Sequence, residues 1–281
     1  MKLSILVKRI TVVIIPSILS FSFLSAQEIG LELYSLRNQI KTDLPGTLAK
    51  IKSWKIKEIE SIGTYGMSRQ EFKKLAEKND LKIVSVAAEY DQLQKDPQSA
   101  IDEAKALGAK YVVCFWIPHN GNDFGIEETK KAVEVFSTAG KLMQQNGLTF
   151  CYHPHGYEFR PYEGGTLFDY MVKNTDARYV NFEMDVFWIK IPGHDPVALM
   201  QKYPDRFPLL HLKDCKAGTP GNLNGHADVE SNVILGQGTI DIAAIMQQAK
   251  KIGVKHFFIE DESSKSEEQI PKSLAYLKSL K

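Results

Sequence analysis

The stretch that decides the fold is KYVVCFW (residues 110–116), followed by a charged, helix-patterned segment from Ile126 to Asn146, then Gly147 and LTFCYH (148–153). The two apolar runs are short and rich in β-branched and aromatic residues, as buried strands are. Gly147 stops the intervening helix as glycine does at a left-handed cap. Strand, helix, glycine and strand form a parallel βαβ unit.

Outward from that unit the pattern recurs about every 32 residues. Strand-like runs fall at 29–35 (IGLELYS), 57–62 (KEIESI), 82–88 (KIVSVAA), 110–116, 148–153, 179–185 (YVNFEMD), 208–213 (PLLHLK) and 255–260 (KHFFIE), which makes eight. Helices are expected at Leu44 to Trp54, Ser68 to Asn79 with Ser68 as cap, Pro97 to Leu107, Ile126 to Asn146, Leu167 to Asn174, Pro196 to Tyr203 and Ile240 to Ile252. Gly108 and Gly253 stop two of them just before a strand, as Gly147 does. A doubly wound open sheet also alternates in this way, but it needs a Gly-rich phosphate loop after its first strand, where this chain has YSLRNQ (34–39). Eight strands close a barrel, so the expected fold class is α/β, a (β/α)8 TIM barrel.

The chain has 281 residues, 43% hydrophobic and 25% charged, which suits one large core. A single barrel domain is therefore expected over 28–281. Residues 1–27 differ in character: Lys2, Lys8 and Arg9 precede an apolar run from Ile10 to Leu24, then come Ser25 and Ala26. This reads as a secretory signal peptide cut near Ala26 or Gln27, with export to the periplasm. A retained anchor is disfavoured, because the run is shorter than the ~20 residues that span a bilayer and Pro16 interrupts it. No cysteine lies there to carry a lipid. Cleavage would leave 32 basic against 34 acidic residues, so nothing points to nucleic acid or another polyanion. Cys114, Cys151 and Cys215 are odd in number, and the first two lie in apolar strand-like runs, which argues against a disulfide framework.

In such barrels the chemistry sits at the C-terminal ends of the strands. Reactive side chains collect there: Tyr152-His153-Pro154-His155 and Glu158 after strand five, Glu183-Met184-Asp185 at strand six, His211-Leu212-Lys213-Asp214 at strand seven and Glu260-Asp261-Glu262 at strand eight. Residues two apart share a face, so His153 with His155, Glu183 with Asp185, and His211 with Lys213 can point inward as pairs. Imidazole and carboxylate converging from four strands describe a metal site. The bland reading of the same residues is a buried polar network without an ion.

The motifs CYHPHGYEF, NFEMDVFW, PLLHLKD, LGQGTID and FFIED together resemble the xylose isomerase-like barrel family of sugar isomerases and epimerases, which also has a DNA-repair endonuclease branch. The resemblance covers nearly all of the chain after residue 27. It implies one metal held at the ends of strands five to eight, commonly by Glu, Asp, His and Glu. Matched motif by motif, these are Asp185, His211 and Glu260, with His153 where the family usually has Glu. His155 and Glu158 stand as alternatives for that position. The departure removes the symmetrical two-Glu acid and base arrangement of ketose 3-epimerases. The YHxHxxEF form of strand five is closer to predicted sugar isomerases and inositol-type dehydratases, in which Glu158 could supply the missing base. The endonuclease branch is disfavoured, because strands two and three, ending IGTYG and AAEY, lack the His and Asp its three-metal site needs.

A metal is also what the chemistry calls for. Carbon next to a carbonyl is a poor acid, and a cation bound to the carbonyl oxygen stabilises the enediolate that proton loss creates. A carboxylate must then reach the carbon-bound proton. Two nitrogens and two carboxylates suit Mn²⁺, Zn²⁺, Fe²⁺ or Co²⁺, with Mg²⁺ also admissible, better than Ca²⁺. Glu260, Glu158 and Lys213 are the expected catalytic groups. Lys213 could instead form a structural salt bridge to Asp214 or Glu183. His155, Glu183, Glu32, Glu89, Trp116 and Trp188 are expected around the substrate, with Glu183 one layer deeper, where it could orient a ligand. His194 and His256 are given no role, and 216–232 reads as a loop over the site or a plain insertion.

The expected activity is metal-dependent isomerisation or epimerisation of an unphosphorylated sugar, keto sugar or keto glycoside. A lyase or dehydratase uses the same enediolate with a leaving group on the next carbon. A non-catalytic saccharide-binding barrel is the third reading. The partner is a small carbohydrate, with no nucleic acid, no membrane insertion after cleavage, and homo-oligomerisation left open.

Overall fold

The computed structural model describes residues 29–280. The signal peptide expected at 1–27 lies outside the described residues. Eight parallel strands close into a barrel: β1 (Ile29–Glu32), β2 (Glu58–Ser61), β3 (Lys82–Ala87), β4 (Tyr111–Cys114), β5 (Thr149–Tyr152), β6 (Val180–Asp185), β7 (Leu209–Leu212) and β8 (His256–Ile259). Each pairs with its neighbours in sequence, and β8 closes on β1 through Ile29 to Leu31 against Phe257 to Ile259. The helices around it are α1 (Arg37–Ser53), α2 (Arg69–Lys78), α3 (Tyr90–Lys95), α4 (Pro97–Leu107), α5 (Ile126–Gln145), α6 (Leu167–Lys173), α7 (Val186–Lys190), α8 (Pro196–Lys202), α9 (Ile242–Ile252) and α10 (Ser266–Ser279). None of the described helices is long and apolar enough to cross a membrane.

All eight expected strands form, and the expected helices form within a few residues of their limits. α1 differs most, beginning at Arg37. Asp43 breaks its helical backbone at φ −151°, and its Oδ1 accepts the Gly46 N–H at 2.9 Å. The segment read from Leu44 is therefore a second helical piece with its own cap, and Pro45 sits in its first turn, where a missing N–H costs nothing. Helices α3, α7 and α10 stand where the sequence reading places none. α3 and α7 are too short to show a period, and α10 carries Pro271 in its interior.

Two apolar clusters support the site. The larger lies between barrel and helices, and the smaller fills the barrel with Val84, Val113, Cys151, Leu209 and Phe258. Because side chains two apart share a face, the inward positions two residues beyond this plug are Phe115, His153, His211 and Glu260. Below it, at the opposite end of the strands, Glu58 Oε2 meets His256 Nδ1 at 2.6 Å. That settles His256 as structural. Alternation along the strands thus places the polar layer on an apolar floor. Cys114, Cys151 and Cys215 are all buried and unpaired.

Candidate metal centre

His153, Asp185, His211 and Glu260 come from β5, β6, β7 and β8 or the residue just beyond, and each offers one ligand atom within 4.8 Å of the others. All four are buried. The register makes this possible by setting Asp185 beside His211. His153 Nε2 lies 3.8 Å from Asp185 Oδ2, and His211 Nδ1 lies 2.8 Å from Glu260 Oε2. The other nitrogen of each ring is backed by a carboxylate: His153 Nδ1 by Glu183 Oε2 at 3.2 Å, and His211 Nε2 by Glu60 Oε1 at 2.6 Å. Ligating imidazoles are oriented in this way by partners behind them.

Asp185 carries the clearest sign of an intended ligand. Its Oδ1 caps α7, accepting the N–H groups of Phe187 at 2.7 Å and Trp188 at 3.2 Å. Its Oδ2 is buried with no hydrogen-bond partner. An orphaned carboxylate oxygen is costly unless something else occupies it. Burial pushes Asp185 up to about 7, against the lowering pull of Lys213. Burial, with the charges of His155 and His211, holds His153 well below the usual histidine range, which leaves the neutral imidazole that binds cations. His211 is driven the other way: burial lowers it, but the charges of Glu183 and Glu60 outweigh this and hold it high. Two imidazoles and two carboxylates, one with an oxygen to spare, fit a divalent transition metal.

Above the cluster opens a cavity of about 470 Å³. His155, Glu32, Glu89, Trp116, Trp188 and Lys213 line it. His155 Nδ1 and Glu32 Oε2 are buried without a hydrogen-bond partner, on side chains that line the cavity. Burial pushes His155 down to about 3. Glu32 is raised well above the carboxylate range by burial and by the charge of Glu60. Glu32, Glu60 and His211 also bring one ligand atom each within 4.8 Å, through the same imidazole.

Three expectations need correction. Glu158 does not line the cavity: it accepts the Tyr152 hydroxyl and the N–H groups of His155 at 3.1 Å and Gly156 at 2.9 Å, so it fixes the turn after β5 and is no base for a substrate. Glu183 is not against the cavity as a substrate contact; it lies behind His153, the deeper, ligand-orienting place that the sequence reading also gave it. Lys213 pairs with Glu260, at 3.2 Å, and with Glu262, not with Asp214 or Glu183. Asp214 instead accepts N–H groups from Cys215, Gly236, Gly238 and Ile240, which pins the LGQGTID loop. The sequence reading also passes over Glu60 and the rim residues Tyr34 and Ile62, and names Glu262 at the end of strand eight without giving it a role. The signal for Glu60 was present, since carboxylates at 58 and 60 of one strand must share its inner face.

Two consequences are measurable. Glu183→Gln keeps the shape behind His153 but weakens its hold, and should lower metal affinity by roughly 10–100-fold in a titration of the stripped protein. Glu158 sits at about 7, raised chiefly by burial. A carboxyl raised on folding favours the folded state below its unfolded value near 4.5 and loses that contribution as pH climbs to about 7. The protein should therefore lose about 3 kcal/mol through this group between those limits. Urea denaturation at pH 5 and 8 should show that loss missing from Glu158→Gln.

The structure is a closed parallel barrel with a His, Asp, His and Glu cluster that could hold a metal ion at the C-terminal ends of its strands. The chain belongs to the xylose isomerase-like TIM barrel family, whose model matches residues 48–280. It is similar to a sugar phosphate isomerase/epimerase from Parabacteroides distasonis, at 27% identity and a TM-score of 0.76, covering 94% of this chain and 98% of that one. It shares its fold with the IolI protein, solved with a bound zinc atom, at 16% identity and a TM-score of 0.71, covering 90% and 97%. Among curated relatives it is 25% identical over 141 residues to inosose dehydratase of Clostridium beijerinckii. That match spans 46% of each chain, so this chain spans about half the length of the curated relatives it matches.

Proposed function

We propose that the protein is a divalent-metal-dependent isomerase or epimerase that moves a proton at a carbon next to a carbonyl on an unphosphorylated sugar, keto sugar or keto glycoside. The observation that carries this reading is the convergence of four ligand side chains, three of which (His153, His211 and Glu260) line a substrate-sized cavity while the buried Oδ2 of Asp185 behind them has no hydrogen-bond partner. His153, Asp185, His211 and Glu260 would hold the ion, its identity among Mn, Zn, Fe, Co and Mg left open. When bound, it supplies Lewis acidity toward a carbonyl and its neighbouring hydroxyl.

The chain's own groups do the rest. Lys213, fixed between Glu260 and Glu262, places a positive charge beside the sugar oxygen that gains negative charge as the proton leaves. With Glu158 withdrawn into the turn, Glu32 is the buried carboxyl facing the cavity with a free oxygen, and it takes the proton-transfer role. His155, neutral and with a free Nδ1, bonds a sugar hydroxyl. Lys213 is the one Lys or Arg among the described residues lining the cavity, and both its neighbours neutralise it, which disfavours a phosphorylated substrate. Export directed by residues 1–27 is part of the proposal and accords with that choice.

The dehydratase names among the relatives favour a second reading, in which the same proton loss expels a group from the next carbon. Product analysis in deuterium oxide separates the two. Isomerisation or epimerisation gives a product of unchanged composition with deuterium at the α-carbon; a lyase gives an unsaturated product and releases water or an alcohol. A saccharide-binding barrel without activity gives neither, and its binding survives chelation.

A further inference from the structure

Tyr34 and Ile62 are the large hydrophobic side chains most open to solvent among the described residues, at 38% and 41% exposure. Both line the mouth of the same cavity. Isolated exposed hydrophobics need no explanation, but two of them lining one polar cavity mark a contact surface. Ile62 directly follows β2, and Tyr34 lies in the short 3-10 turn Leu33–Leu36 after β1, whose other three residues are buried.

Tyr34 is also held in place. The Arg37 guanidinium stacks 4.5 Å from the centre of its ring and bonds back to the Tyr34 carbonyl at 3.1 Å and to the Glu262 carbonyl at 3.0 Å. One face of the ring is thus backed by Arg37 while the side chain stays open. The Ile62 side is shaped by a turn in which the Ser61 hydroxyl donates to the Gly63 carbonyl at 2.6 Å. The cavity therefore has two characters along its depth: buried ligands, Glu32 and Lys213 at the floor, and an apolar shelf at the mouth.

We infer that Tyr34 and Ile62 form a subsite for an apolar or aromatic aglycone, so that the substrate is a glycoside rather than a free sugar. The inference rests on the proposed sugar-binding site and adds the chemistry of the group beyond the ring. A sugar held by its hydroxyls at the floor would present its substituent toward the mouth, where a pre-positioned tyrosine ring and a branched aliphatic side chain give a stacking and packing surface at little entropic cost.

The test compares phenyl and methyl pyranosides of glucose, galactose and mannose, read by quenching of tryptophan fluorescence, since Trp116 and Trp188 line the cavity. The phenyl member of at least one pair should bind about tenfold more tightly. Tyr34→Ala and, independently of Arg37, Ile62→Ala should each erase most of that preference while leaving methyl glycoside binding unchanged. Equal affinity within every pair, no binding of any glycoside, or a preference indifferent to both variants would overturn the inference. Deuterium exchange into the corresponding keto glycosides is followed in parallel. A phenyl preference without exchange sinks the isomerase reading alone, and exchange without a phenyl preference sinks the aglycone subsite alone.

Discussion

Asp185→Asn should fold as the parent does and lose its metal. The substitution keeps Oδ1, which caps α7 through the N–H groups of Phe187 and Trp188, and changes only Oδ2 from an anionic oxygen to an amide nitrogen that cannot ligate. Changes to groups behind a ligand typically cost 10–100-fold in affinity or activity, and removal of a ligand atom should exceed the upper end of that range, about 100-fold. Elemental analysis of the purified variant should find metal well below one equivalent, with a thermal transition close to that of the parent. A variant that keeps its metal and its activity would show that the orphaned oxygen has another purpose.

Lys213→Met should be the most damaging single change to stability within the site. Lys213 is buried between Glu260 and Glu262 and lies 5.2 Å from the centre of the Phe187 ring. Methionine fills a similar volume but leaves two carboxylates without their cation, and breaking a buried ion pair costs about 3–5 kcal/mol. For a domain of this size that corresponds to a fall in melting temperature on the order of 10 °C. The pairing raises Lys213 above the ordinary lysine range, although burial alone would lower it. Its charge therefore persists across the accessible pH range. Activity should fall as well, and added metal should not restore it, if the charge stands beside the sugar oxygen as proposed. Calorimetry together with rates at saturating metal checks both parts.

The barrel was legible in the sequence because its strands and helices carry different periods and glycines punctuate them. The floor of the site was legible for the same reason: inward positions on β5 to β8 are fixed by alternation once the strands are placed. Where a carboxylate goes when it leaves the strand was not legible. Glu158 follows β5 closely enough to reach a substrate, yet the chain turns at Gly156, whose φ is 98°, and folds the carboxylate back onto the N–H groups of His155 and Gly156. Glu60 went unassigned because a charged residue inside a strand has no partner in sequence; its partners, His211 Nε2 and the Ser85 hydroxyl, come from other strands. The pairing of Lys213 with Glu262 likewise depends on how the β7 and β8 loops approach one another. The rim residues Tyr34 and Ile62 are ordinary in sequence, and only their exposure at one opening distinguishes them.

The most direct test of the account follows solvent deuterium incorporation into a panel of keto sugars and keto glycosides, on metal-replete protein, after chelation, and after return of Mn²⁺ or Zn²⁺. The account predicts exchange at the carbon next to the carbonyl, lost on chelation, restored by metal, and absent from Glu260→Gln. Exchange that survives complete removal of metal would contradict it.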